Sequence, residues 1–187
     1  MPDDPTVKEL EELLGRKNGF YAFESALHLL PSNCENAPMD IERWNNGGLW
    51  REEYDGVADG FLFFAEDAFG EQFALRDGMV YRFDGENGAA EEMANSLEDW
   101  ASLILDGYEY ETGYPLAHEW QMLNGTLMPG ERLLPKVPFV IGGAYKIENL
   151  YAGDPVERMR LRAFIWKQIK DLPDESKVRL TVAKKNR

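Results

Sequence analysis

The sequence predicts an α+β fold in which a central antiparallel β-sheet, a meander, is flanked by helices and extended by a C-terminal strand-helix-strand elaboration. Three observations carry this. From Gly60 three successive runs, GFLFFAED, EQFALRD and GMVYRFDGENG, shift the hydrophobic period to two: Phe73 and Leu75 alternate with Gln72, Ala74 and Arg76, and Met79, Tyr81 and Phe83 with Arg82. Asp77-Gly78 separates the second run from the third and suits a type I′ hairpin, whose two central residues need positive φ. Helical spacing brackets this block on both sides.

Taken in order, Val7, Leu10, Leu13 and Leu14 lie at helical spacing, and Gly15 stops that helix. A second short helix is expected over Phe20 to Leu30, where Phe23, Leu27 and Leu30 share a face and Pro31 ends the run. Residues 32–59 read as irregular, with a helical turn at Asp40 to Trp44. After the meander, Met93, Leu97, Trp100 and Ile104 fall on one helical face that packs on the sheet; Ser96 with Asp99, or Glu91 and Glu92, could open that helix. A short helix is expected from Pro115 to Leu123, then strands at Phe139 to Ile141 and Tyr145 to Leu150 around Gly142-Gly143. Asp154-Pro155 opens a helix that runs to about Lys170 and buries Val156, Met159, Ala163, Trp166 and Ile169. A last strand is expected over Lys177 to Ala183. No repeat or linker divides the chain, so residues 1–187 read as one domain.

Composition excludes several function classes. At 187 residues with 44% hydrophobic content the chain can bury a real core. No run reaches the roughly 20 apolar residues of a membrane span, and MPDDPTVKELEEL has no signal-peptide pattern, so a cytoplasmic protein without membrane contact is expected. The one cysteine, Cys34, excludes an internal disulfide and a multi-thiolate metal site. Charge is unevenly spread: residues 1–127 hold 7 Lys and Arg against 27 Asp and Glu, net −20, and residues 128–187 hold 13 against 7, net +6, which gives −14. An acidic surface of this size repels nucleic acid and attracts a basic partner, and it also serves solubility.

No catalytic constellation emerges. His118-Glu119 lacks the second histidine of a zinc-protease helix, since position 122 is Met. Nothing places His28 beside Cys34 as base and nucleophile. The acids of FFAEDAFGEQFALRDG (63–78) miss the calcium-loop spacing, with Ala68, Gly70 and Gln72 at ligand positions, and Glu66 and Asp67, adjacent on a strand, point to opposite faces. These acids are instead expected to decorate a turn. Gly142-Gly143 precedes a strand, where a phosphate turn precedes a helix. Arg158, Arg162 and Lys170 read as the solvated face of an amphipathic helix. No enzyme, cofactor or metal is therefore expected.

In order, ALHLLPSN (26–33), FFAEDAFGEQFAL (63–75), GMVYRFDGENG (78–88) and ANSLEDWASLIL (94–105) resemble the SUKH superfamily, the Smi/Knr-type domain of bacterial toxin-immunity proteins. The likeness is strongest over residues 20–105, and 106–187 read as an elaboration of the same domain. The resemblance implies an α+β fold without catalytic residues that neutralises a cognate toxin, often a nuclease, by binding it. The family also contains eukaryotic regulators, so an intracellular regulatory or scaffold domain is the alternative, and a small hydrolase the weakest. The expected contact draws on Trp44, Trp50 and Tyr54 as anchors, or as core residues, with Asp55, Asp59, Glu66, Asp67 and Glu71 as an acidic rim.

Overall fold

The computed structural model describes residues 4–173 and Ser176, so the strand expected over 177–183 lies outside the described residues. Helix α1 (Pro5–Arg16) is capped by Asp4, whose carboxylate accepts from the Thr6 amide at 2.9 Å, and Pro5 stands where its missing N–H is not needed. Six strands follow in one antiparallel sheet in sequence order: β1 (Phe20–Ala22), β2 (Leu27–Leu29), β3 (Leu62–Asp67), β4 (Gln72–Arg76), β5 (Met79–Phe83) and β6 (Ala90–Ala94). The expected meander is thus present. Asp77 and Gly78 turn the β4–β5 hairpin with φ of 52° and 77°.

One expected element here changes type and another has its start settled. Residues 20–30 form the β1–β2 hairpin and not a helix, because Phe23, Glu24 and Ser25 all adopt positive φ and Leu27, His28 and Leu29 pair with Asp67, Glu66 and Ala65 of β3. Sheet pairing overrides a helical apolar spacing that a strand with a turn imitates. Helix α3 (Leu97–Glu111) starts at Ser96, whose hydroxyl accepts from the Asp99 amide, and Met93 belongs to β6.

Both faces of the sheet are covered. On one, the irregular segment with α2 (Ile41–Trp44) and a tight 3-10 turn at Arg51–Tyr54 packs its aromatics inward: Trp50 meets Phe63 at 5.0 Å between ring centroids and Tyr54 at 5.7 Å. On the other, Trp100 of α3 sits edge-on to Phe64 and Phe73. After α4 (Tyr114–Asn124) come β7 (Arg132–Pro135) and β8 (Leu150–Gly153), paired antiparallel. The strands expected at 139–141 and 145–150 are displaced. Phe139–Ile141 and Ile147–Asn149 are 3-10 turns, and Gly142 at φ 93° ends the first, so the pairing falls on the runs outside them. Helix α5 (Pro155–Ile169) is capped by Asp154, and its Trp166 lies 5.6 Å from Tyr54. No described helix is long and apolar enough to cross a membrane.

Candidate functional site

Glu66 and Asp67 leave β3 on opposite faces of the sheet, as strand alternation requires, and enter opposite environments. Glu66 stands in a cross-strand row between His28 and Gln72. Its carboxylate meets Arg132 Nε at 2.8 Å and His28 Nδ1 at 3.1 Å, all three side chains buried. Burial alone would raise the Glu66 pKa, yet Arg132 and His28 together hold it down at about 2. His28, stacked on Tyr21 at 4.1 Å, is pushed below its usual value by burial, against the pull of Glu66. Arg132 also donates to the Ser25 carbonyl, so β7 is tied to the β1–β2 turn and to β3 through one guanidinium. The arrangement is a closed ion-pair core.

Asp67 instead organises the turn into β4. One of its oxygens accepts from the Phe69 and Glu71 amides, each at 2.8 Å, while among the described residues no hydrogen bond reaches the other. Arg162 of α5 closes the turn from beneath, donating to the Gly70 and Phe69 carbonyls at 2.7 and 3.0 Å and approaching Glu71 at 3.3 Å. Arg158, one turn earlier, pairs with buried Glu86 at 2.5 Å. The solvated face expected for α5 is therefore partly inward: Arg158 and Arg162 are buried and Lys170 is exposed. The three buried arginines among the described residues come from the basic last third and meet acids of the first two thirds. Part of the charge separation along the sequence is thus used to join those parts.

Beyond the C-terminal half of α3, on the Asp67 face, lies an open cleft of about 670 Å³. Among the described residues five acids line it, Asp67, Glu71, Asp84, Glu91 and Glu109, against one cation, Arg82. Arg82 is itself held by Glu111 at 2.6 Å. Phe69, Tyr110, Phe139 and Tyr145 give the cleft aromatic walls; Phe139 and Tyr145 stack at 3.7 Å with planes 9° apart, and Phe69 is edge-on to both. Gly113 must be glycine here, with φ of 67° and no space for a Cβ beside the Phe69 ring. Burial raises the pKa of Asp67 and of Glu71 above the carboxylate range; for Glu71, neighbouring Asp84, Asp67 and Glu86 add to the rise and Arg162 opposes it. The Tyr145 phenol is pushed up to about 12 by burial and by Glu71, Glu86, Asp84 and Asp67. The cleft thus gathers acids and aromatic surfaces, and because its buried acids are held towards their protonated form, a cation that enters it favours their ionised form.

The residues expected to form the contact are divided among three settings. Trp44, Trp50 and Tyr54 are core residues, at 1%, 0% and 0% exposure, with the Trp44 indole donating to Gln72 at 2.7 Å and the Tyr54 hydroxyl to Gly85 at 2.8 Å. They are therefore no surface anchors. Glu66 and Asp67 are also buried, so the expected solvated rim of the turn is absent, and only Glu71 is partly open. Asp55 and Asp59 are exposed, with Asp55 paired to Lys167 and Lys170 at 3.0 and 3.1 Å. His118 pairs with Glu24 at 2.7 Å. Among the described residues no group of three or more His, Cys, Asp or Glu side chains is arranged to hold a metal ion. Asp84, Glu91, Glu109, Phe139 and Tyr145 are site residues that the sequence does not mark as such, because nothing local makes residues from the β5–β6 connection, β6, α3 and a distant loop neighbours.

The family model described as the SMI1 / KNR4 family (SUKH-1) matches residues 8–102, just over half of the chain. A search of curated proteins found no match. Among solved structures, the crystal structure of Atu4351 from Agrobacterium tumefaciens is similar, with a TM-score of 0.58 at 13% identity, covering 83% of this chain and 74% of that one. At that identity the likeness is one of fold.

Proposed function

The chain belongs to the SMI1 / KNR4 family (SUKH-1), and on that premise we propose that it is a binding protein that neutralises a cognate bacterial toxin, a basic nuclease-type effector, by direct protein–protein contact. The family is one of toxin immunity and its members are typically not enzymes. The observation that supports this reading is the excess of acids around the cleft. Elsewhere much of the acidity is answered internally, by Arg132, Arg158, Arg160, Lys167 and Lys170, whereas among the described residues the five acids of the cleft face Arg82, which Glu111 already holds, and Arg162, which pairs with Glu71 alone of the five. A nuclease is basic where it grips phosphate, and an acidic inhibitor both steers towards that surface and competes for it. Asp55 and Asp59, on a separate exposed stretch, add to the steering field and not to the anchor.

The test is binding and protection. Purified protein should bind the toxin encoded beside its gene and restore growth when the two are expressed together, with an affinity that falls steeply as salt is raised. Absence of binding and of protection, with a pull-down that returns only a chromosomal partner, would replace this reading with that of a regulatory scaffold.

A further inference from the structure

We propose that the cleft is an arginine-receiving site: one guanidinium from a basic loop of the partner enters between the Phe139–Tyr145 stack and the carboxylates of Asp67, Glu71 and Asp84. This rests on the neutralisation reading for the identity of the partner, and on the cleft alone for its chemistry.

Four features point to a planar cation. The volume, about 670 Å³, lies in the range of small-ligand sites and exceeds one side chain, so a loop with its arginine fits where a flat surface contact would leave a void. Asp67, at 6% exposure, spends one oxygen on turn amides and leaves the other without a hydrogen bond among the described residues while lining the cleft. That oxygen opens into the cleft, where a ligand's N–H can reach it. The turn that holds Asp67 is itself fixed by Arg162 from below, so the acid is positioned before any partner arrives. Tyr145 stacks flat on Phe139, and an aromatic face beside carboxylates matches a guanidinium, which stacks on rings while its five donors fork to oxygens. A lysine ammonium can use the charge but not the fork or the flat stack.

The probe is a nine-residue Gly/Ser peptide with a single central arginine, compared with the same peptide carrying lysine or citrulline, titrated into the full chain and followed by amide chemical shifts. The arginine peptide should perturb Phe69, Asp84 and Tyr145. It should bind about tenfold tighter than the citrulline peptide and measurably tighter than the lysine one. Tyr145→Ala and Asp84→Asn, both outside the buried ion pairs, should each weaken it several-fold while the protein's melting profile stays unchanged. Equal binding of arginine and citrulline, or shifts that map away from the cleft, overturns the site. The same two variants are then assayed against the toxin. If wild type binds toxin and both variants bind it equally well, the arginine site fails and neutralisation stands. If the arginine peptide occupies the cleft but no toxin binds, the site stands and the neutralisation reading fails.

Discussion

Glu66 and Asp67 are adjacent in the chain and differ in almost everything else. Glu66 is enclosed with Arg132 and His28, every charge answered, and its pKa is driven down; Asp67 lines an open cleft with four other acids, and its pKa is driven up. One residue of strand alternation separates a structural joint from a binding surface. Composition treats both as acids on one turn; what distinguishes them is that Arg132 and His28 pair with Glu66 directly and outweigh its burial, whereas at Asp67 burial outweighs the more distant Arg82 and Arg162.

The comparison breaks most readily at the joint. Arg132→Ala leaves Glu66 buried without its main cation and is expected to cost about 3–5 kcal/mol in urea unfolding. A cost near zero would mean that the pair is not a joint. The next effect is one of pH. Because the folded pKa of Glu66 lies below its ordinary 4.5, its stabilisation is complete above that value and is lost as pH falls from 4.5 towards about 2. The loss is on the order of 3 kcal/mol and should be absent in Glu66→Gln. Asp67 has the opposite sign. Its folded pKa is raised, so its contribution is greatest below the unfolded value and declines as pH rises through the folded one. Asp67→Asn, which keeps an acceptor for the turn amides, should therefore be more stable than wild type by about 1 kcal/mol at pH 8, with the gain vanishing at low pH. Stabilisation together with weaker binding of a basic peptide is the signature of a site kept for function. The smallest expected change is in Tyr145→Ala, at a residue that is 67% exposed: stability should stay within about 0.5 kcal/mol of wild type.

What was legible in the sequence was local. The β4–β5 hairpin could be read from Asp77-Gly78 and the alternation beside it, and α5 from Asp154-Pro155, because turn and cap signals act over a few residues. The β1–β2 hairpin was not, since Phe23, Leu27 and Leu30 fit a helix equally well until β3 supplies a pairing edge. The ion pairs were hidden for the same reason: Arg158 and Glu86 are 72 positions apart, and an arginine on an amphipathic helix looks solvated unless its distant acid is known. The cleft required three unlinked segments to be placed together. The aromatics Trp44, Trp50 and Tyr54 could be read as anchors or as core, and packing against Phe63 and Phe83 decides for core.

The most direct test of the central claim is the affinity of the toxin encoded beside the gene for two double variants, Asp84→Asn/Glu91→Gln in the cleft and Asp55→Asn/Asp59→Asn on the exposed stretch away from it. Each removes the same formal charge, so long-range steering changes equally and only position differs. The cleft pair should lose at least about tenfold in affinity, mainly through faster dissociation, while the other pair loses less than about threefold, through slower association. Equal losses, or a larger loss in the Asp55/Asp59 pair, would contradict the account and return the contact to the surface around residues 55–59.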